Sequence, residues 1–343
     1  MWRKAFDPGL WFKEYRQVRV MLWAMLGLGF ATLPLYNMNR WWFGEQRLID
    51  NTVESIVMNP GYDPWMDAVM NIQVLMLVLG TILALWQMGF ERRSNMQEFT
   101  LSLPYSRTHI YTTKWLLGAA FLIGCFLFSA ALDAIVLATS QLAPFIEWGG
   151  YVMTLLRAML INLTLYTLML AMGTVCGSVF SQISFLAVLA LLPEFIRLMV
   201  MRFCWAFDIS TLKKETTLEG DVYYSSIVPN IHRPEQYLFN DVRGADGDIG
   251  FWTISIALTV TLFVVGLLLF KHNKAENNGK LVILPSFEVI LRVGFTLCFA
   301  LLGATVSTGV FTNSPAAYCI GFLAALFIGY FIIRWLTNVK LKI

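Results

Sequence analysis

Few residues in this chain of 343 amino acids have the types and spacing that a chemical site requires. The three histidines, His109, His232 and His272, lie far apart, and the five cysteines show neither Cys-x-x-Cys nor Cys/His ligand spacing. Metal binding needs several such ligands converging on one ion. We therefore predict neither a metal site nor a disulfide framework, and we interpret the cysteines as small apolar packing residues.

Ionisable residues within the long hydrophobic stretches are also few, namely Asp133, Arg157 and a boundary set of Glu194, Arg197 and Arg202. An intramembrane hydrolase needs paired aspartates, a Ser/His pair or zinc ligands. None of these patterns occurs, which argues against an enzyme. Burying Asp133 or Arg157 alone costs about 2.5–3.5 kcal/mol, so we predict that they form an intramembrane ion pair. The alternatives are a cargo-binding charge, or an Arg157 that snorkels to the head groups.

The composition shows what kind of scaffold must position these residues. The chain is 57% hydrophobic and 14% charged, whereas a soluble domain carries about 25% charged residues. Soluble, disordered and disulfide-stapled secreted classes are therefore excluded. The net charge of +3 gives no case for nucleic acid as a partner. The sequence predicts an all-α polytopic membrane protein.

Eight apolar runs are long enough to cross roughly 30 Å of hydrocarbon as helices. They cover about 18–37, 68–89, 115–139, 151–178, 183–203, 250–270, 289–311 and 316–335. The fifth run is the weakest because it contains Pro193, Glu194 and Arg197. Its last part is alternatively a separate interfacial or re-entrant helix.

The positive-inside rule sets the predicted orientation. With the N-terminus in the cytoplasm, sixteen of the 25 Lys and Arg residues fall on the cytoplasmic side, and the acids concentrate in the outer segments 38–67 and 204–249. Both termini are therefore predicted to be cytoplasmic. Two alternatives are open for the outer segment 204–249: a lid over an outward exit, or a poorly ordered loop.

An interfacial elbow helix is predicted at residues 8–18, before the first span. Asp7 and Pro8 form an N-cap followed by proline at the first helical position. Aromatic and basic residues then separate onto two faces, as in a helix lying on a membrane surface. Trp11, Tyr15, Val18 and Leu22 fall on one face, and Trp11 and Tyr15 are expected to face lipid or the bundle. Lys13 and Arg16 are expected to face head groups or a partner. The alternative is a simple basic flank of the first span.

The inner segment 90–114 is the most informative stretch. A charged cluster leaves the second span, and the apolar residues Met96, Phe99, Leu101 and Leu103 then predict a short amphipathic helix over 94–104. Pro104 ends that helix, and Lys114 is expected to anchor the third span at the head-group level. A short helix of this kind beneath a membrane bundle can dock into a groove of a soluble partner.

This segment resembles the first cytoplasmic loop of ABC transporter permeases of the ABC-2 type. The matching residues are Glu91, Arg92, Glu98, Phe99, Leu103, Pro104, Ser106, Arg107 and Lys114. The resemblance covers about residues 1–270 as the permease core. It implies a coupling helix that contacts an ATPase subunit through Glu91, Arg92, Met96, Glu98, Phe99, Leu103, Pro104 and Arg107.

The remaining segment, 271–343, adds a connector and two spans, and it resembles a subgroup of eight-span permeases of bacterial transporters linked to envelope stress and peptide-antibiotic response. The chain has no Gly-x-x-x-x-Gly-Lys-Ser/Thr loop. The resemblance therefore implies that ATP and Mg²⁺ bind a separate ATPase subunit, with no cofactor on this chain. It further implies a second permease subunit, membrane lipid around both, and an exporter of hydrophobic or amphipathic cargo in a bacterial inner or plasma membrane. A non-transporting scaffold or sensor subunit and a secondary transporter are the alternatives.

Overall fold

The computed structural model describes residues 7–58, 63–94, 96–207, 212–216, 222–226, 249–272, 285–310 and 314–338. Twelve α-helices lie within them: α1 Pro8–Thr32, α2 Pro34–Trp41, α3 Gln46–Met58, α4 Met66–Leu85, α5 Glu91–Arg93, α6 Met96–Ser102, α7 Arg107–Ala138, α8 Trp148–Val175, α9 Val179–Ala206, α10 Ile249–Lys271, α11 Pro285–Val310 and α12 Pro315–Asn338. The predicted fold class, a polytopic membrane protein built of α-helices, is confirmed, with one short β-hairpin described below.

Seven stretches of the described chain are helical, long and apolar enough to cross a membrane. They are Pro8–Trp41, Met66–Phe90, Arg107–Ala138, Trp148–Val175, Gly250–Lys271, Arg292–Val310 and Pro315–Trp335. The fifth predicted span coincides with α9, which runs unbroken from Val179 to Ala206 rather than dividing into two helices. A total of eight spans stays a prediction.

The first span differs from its prediction. α1 is one continuous helix from Pro8 to Thr32, so no turn separates an elbow helix at 8–18 from the membrane span. No proline lies between Pro8 and Pro34 to break it. The break comes instead at Leu33, before Pro34, and the short helix α2 follows.

One compact unit is built from α1 to α8 together with α10. Within it, α7 packs against α1, α2, α4 and α10. Close approach of the helices requires glycine at two places: a Cβ at Gly29 of α1 would crowd Met76 and Ser129, and one at Gly118 of α7 would overlap the Tyr166 ring. These helices therefore form the tightly packed frame that holds the loop 90–107.

A second compact unit contains α9, α11 and α12. α11 and α12 form a close antiparallel pair, because Gly303 lies against Ala325 and Gly321 lies against Ser307. Ser307 also donates a 2.7 Å hydrogen bond to the backbone carbonyl of Ala317. The two units are discontinuous in sequence, and the predicted division into a core at 1–270 and an addition at 271–343 stays a prediction.

The segment between α9 and α10 contains two short strands that the sequence did not predict. β1 Leu212–Thr216 pairs antiparallel with β2 Val222–Ser226, with Lys214 opposite Tyr224. The other residues of 208–248 lie outside the described residues, and so do 273–284 of the connector and both chain ends. The predicted lid at 204–249 therefore stays a prediction.

Candidate functional site: a buried ion ring beneath an exposed helix

The predicted coupling loop begins with a change of helix type. α4 continues past Leu85 into a π-helix, Trp86–Phe90, which leads directly into α5. π-helical turns are rare and occur frequently at functional sites. Here the π-helix and α5 together place Gln87 and Glu91 among buried residues.

Four charged side chains meet in one buried cluster. The Lys114 ammonium lies 2.7 Å from one carboxylate oxygen of Glu14 and 2.7 Å from one of Glu91. The Lys13 ammonium lies 2.9 Å from the second oxygen of Glu14 and 2.9 Å from the second oxygen of Glu91. Two cations and two anions thus alternate in a closed arrangement without net charge, which we call the ion ring.

Glu14 was missed at the sequence level, although its spacing gives a signal. The buried residues of α1 are Leu10, Glu14, Val18, Leu22, Met25 and Gly29. Steps of three and four residues mark one helix face, so Glu14 lies on the buried stripe. The predicted face through Trp11, Tyr15, Val18 and Leu22 shares Val18 and Leu22 with this stripe but leaves out Glu14.

The predicted positions of Lys114 and Lys13 also have to be corrected. Lys114 was expected to anchor the third span at the head groups, but its side chain is only 1% exposed. It shares the buried side of α7 with Ile110 and Leu117. Lys13 was expected to face head groups or a partner, but it contacts Glu14 and Glu91. Lys114 lies 100 residues from Glu14, and Lys13 lies 78 residues from Glu91. The local sequence around each lysine therefore does not show these contacts.

Glu91 is held ionised by its surroundings. Burial raises the pKa of this carboxyl group. The ammonium groups of Lys114 and Lys13, with hydrogen bonds from Lys114 and Thr100, outweigh this effect and lower the pKa to about 2. At neutral pH the ion ring therefore keeps its Glu91 charge.

Hydrogen bonds extend the ion ring into α4 and α8. The Tyr166 hydroxyl donates to the side-chain oxygen of Gln87 at 2.7 Å. The Gln87 amide nitrogen donates to the backbone carbonyl of Lys114 at 3.1 Å. Lys114 is thus also fixed through its backbone carbonyl to the π-helix. No role was predicted from the sequence for Gln87 or Tyr166.

The helix α6 lies against the ion ring through its polar side. The Thr100 hydroxyl donates to Glu91 at 2.5 Å and accepts from the Lys13 ammonium at 2.6 Å. Gln97 is also buried, and its side-chain oxygen accepts from the Arg92 Nε at 3.1 Å. The orientation of α6 is therefore set by polar contacts with Glu91 and Arg92 of the loop and with Lys13 of α1.

The opposite side of α6 is apolar and exposed. The Met96 and Phe99 side chains are 45% and 55% exposed. An amphipathic helix that contacts its own protein through polar residues and turns its apolar residues outward presents a binding surface. At seven residues, α6 is shorter than the predicted 94–104.

The other predicted coupling residues have mixed positions. Arg92 is buried, Leu103 is half-buried, and Pro104 is exposed at the bend that follows α6. Arg107 is the first residue of α7 and donates to the backbone carbonyl of Lys271 at 3.3 Å. The side chain of Glu98 lies outside the described residues.

The start of α1 is joined to the same loop. The Asp7 carboxylate caps α1 by accepting from the backbone amide of Gly9 at 2.9 Å, and it accepts from the Tyr105 hydroxyl at 3.1 Å. Further along, Tyr15 stacks on Phe121 of α7 with ring centroids 6.2 Å apart. Trp11 is half-buried and Arg16 is exposed.

The predicted ion pair between Asp133 and Arg157 is wrong. The Asp133 carboxylate instead accepts from the Asn37 amide at 2.8 Å and from the Tyr151 hydroxyl at 2.6 Å. Arg157 lies over the ring of Phe251, 5.8 Å from its centroid.

The physical reason is the asymmetry of the connection between the two helices. α7 ends at Ala138 and α8 begins at Trp148. Asp133 is therefore about five residues inside its helix end, whereas Arg157 is about nine, a difference of roughly 6 Å along the axis. Tyr151 is the residue of α8 that lies near the depth of Asp133.

A metal-binding arrangement does not occur in the part of the chain that the structure describes, where no three His, Cys, Asp or Glu side chains converge. The ion ring itself already pairs each carboxylate with two ammonium groups. Its chemistry is therefore structural: it fixes α6 and α5 relative to α1 and α7.

Comparison with known proteins adds to this geometry. Residues 61–219 match the family described as ABC-2 family transporter protein. The chain is 23% identical to the probable ABC transporter permease YtrD of Bacillus subtilis, covering 98% of this chain and 99% of that protein. It is 24% identical to the probable ABC transporter permease YtrC of the same organism, covering 87% of each. No solved structure gives a significant match.

Proposed function

We propose, from the premise that the chain belongs to the ABC-2 family of transporter permeases, that it moves cargo out of the cell with energy from a separate ATPase. The chain is a multi-pass membrane protein and a permease subunit of an ABC transporter. The proposal adds the direction of transport, the partner and the surface on which that partner docks.

One observation carries the proposal: α6 turns Met96 and Phe99 outward while Thr100 is bonded to the ion ring. The exposed pair is proposed to insert into a groove of the ATPase subunit, where the apolar anchors would supply most of the affinity. ATP and Mg²⁺ would bind that subunit.

The ion ring connects the docking helix α6 to the membrane helices. Thr100 of α6 is hydrogen-bonded to Glu91 and Lys13, and Lys114 of α7 closes the ion ring. A displacement of α6 would therefore move α1 and α7 with it, as a rigid-body switch between two states requires.

The membrane orientation is part of the proposal. The end of the bundle that carries α6 and the ion ring would face the cytoplasm, with both chain termini on that side, in a bacterial inner or plasma membrane. The distribution of Lys and Arg supports this orientation. Two permease subunits, identical or related, would enclose the pathway, and the cargo would be hydrophobic or amphipathic.

The test removes one exposed side chain. The Phe99→Ala variant should reduce the amount of ATPase subunit that co-purifies from the native membrane by about tenfold, the effect of losing one interface anchor worth 1–2 kcal/mol. Insertion of the permease, measured by its yield in the membrane fraction, should not change.

Phe43→Ala is the matched control, since Phe43 is 74% exposed and follows α2 at the other end of the first span. That variant should retain its ATPase. Equal co-purification for Phe99→Ala and wild type would reject α6 as the docking surface. Retained docking and ATP hydrolysis without any cargo movement would favour a scaffold or sensor subunit instead.

A further inference from the structure

An aromatic-lined cavity of about 370 Å³ lies within the second unit, where α9, α11 and α12 meet. Its volume falls within the range of small-ligand pockets. Two of its lining residues, Cys319 and Leu323, are exposed, so the cavity is open at the surface of the unit. The lining consists of Phe203, Phe207, Leu301, Tyr318, Cys319, Phe322 and Leu323.

Tyr318 supplies the polar feature of this otherwise apolar cavity. Its side chain is 5% exposed, and its ring meets those of Phe203 and Phe207 edge to face, with centroids 5.7 and 5.8 Å away. The buried Tyr318 hydroxyl makes no hydrogen bond within the described residues. Buried hydroxyl groups usually have a partner, so this one is available to a ligand.

The location of Tyr318 indicates the kind of acceptor. α12 begins at Pro315, so Tyr318 lies in its first turn, and Phe203 lies near the end of α9 at Ala206. In a spanning helix the first turn lies near the boundary between hydrocarbon and head groups, where an amphipathic ring such as tyrosine is favoured. The acyl-ester carbonyls of a glycerolipid lie at that same boundary.

We propose that this cavity binds a membrane glycerolipid, with an acyl chain against Phe203, Phe207 and Leu301 and an ester carbonyl accepting the hydrogen bond of the Tyr318 hydroxyl. The aromatic rings supply an apolar wall, and the Tyr318 hydroxyl selects a lipid with an acceptor at the correct depth. This site shares no residue with α6 or the ion ring, and it requires neither ATP nor the ATPase.

The experiment compares two lipids that differ only in the acceptor. The full-length protein in detergent is titrated with a diacyl phosphatidylglycerol and, separately, with its dialkyl ether analogue, which lacks the ester carbonyls. Native mass spectrometry measures the dissociation constant of the first bound lipid. Wild type should bind the ester lipid about 2- to 10-fold more tightly than the ether lipid, as expected for one hydrogen bond.

Two variants and one control test the assignment. Tyr318→Phe should bind both lipids with the ether-lipid affinity of wild type, because it keeps the ring and loses the donor. Leu301→Trp should weaken binding of both lipids by filling the cavity. Tyr330→Phe, a change at an exposed tyrosine of the same helix, should keep the ester preference.

The proposal is overturned if wild type does not distinguish the two lipids, if Tyr318→Phe keeps the preference, or if Leu301→Trp binds both lipids like wild type. Because these measurements use the permease alone, a negative result leaves the proposed docking of α6 unaffected.

Discussion

Removing the charge of Lys114 is the sharpest test of the ion ring. Methionine at this position keeps an unbranched side chain of similar length, so Lys114→Met removes the ammonium group without leaving a large cavity. It leaves the Glu14 and Glu91 carboxylates, 1% and 3% exposed, with only the Lys13 ammonium between them. A buried net charge of −1 results, and breaking a buried ion pair on one side costs about 3–5 kcal/mol.

The loss is measured as the free energy of unfolding of the purified protein in one detergent at pH 7. Lys13→Met is the matched variant, since Lys13 contacts the same two carboxylates but is 19% exposed. Water can partly replace its ammonium group, so its loss should fall between about 1 kcal/mol and the loss for Lys114→Met.

A double variant separates the charge from the side chain. Lys114→Met combined with Glu14→Gln leaves Lys13 paired with Glu91 and restores neutrality. It should therefore lose less free energy of unfolding than the two single variants together. Additive losses, a Lys114→Met variant as stable as wild type, or a larger loss for Lys13→Met would refute this account of the ion ring.

Three further predictions concern separate features. The free energy of unfolding should fall as pH drops from about 4.5 towards 2, because the lowered pKa of Glu91 means that its ionised form stabilises the fold above the unfolded pKa; acid titrations of wild type and Glu91→Gln should show a shallower dependence in the variant. Tyr151→Phe should lower the free energy of unfolding by about 1–3 kcal/mol, because the buried Asp133 carboxylate loses a hydrogen bond, and an unchanged unfolding curve would contradict this. Gly303→Ala should lower the free energy of unfolding by about 1–3 kcal/mol, because the added methyl group would push α11 away from Ala325 of α12. Gly309→Ala, with open space around it, should change the free energy of unfolding little.

The helices could be predicted from sequence because crossing a bilayer leaves a strong signal. About 20 consecutive apolar residues are needed, and the backbone must satisfy its own hydrogen bonds. The predicted run 115–139 lies almost wholly within α7, although α7 begins earlier, at Arg107. Predictions of helix ends were less accurate, since polar residues at a helix end do not interrupt the helix.

The contacts between side chains could be predicted only in part. The exposed apolar residues Met96 and Phe99 followed from the local pattern of the loop. The partners of Asp133 did not, because Asn37 is 96 residues away and Tyr151 becomes its neighbour only through the unequal helix ends. Glu14 carried a usable signal in its spacing, but an interfacial reading of α1 assigned its neighbourhood to the membrane surface.

The sequence separation within the ion ring has a consequence for biogenesis. Glu14 and Lys114 are 100 residues apart, so at ordinary synthesis rates the ribosome needs roughly 5–20 s to reach the lysine after the glutamate. Glu91 is made 23 residues before Lys114, so for the last roughly 1–5 s of that interval the nascent chain holds Glu14 and Glu91 with the single cation of Lys13. This excess negative charge opposes burial in hydrocarbon. α1 and α4 should therefore stay loosely associated at this end until α7 is inserted. The arrival of Lys114 then supplies the second cation and completes the ion ring.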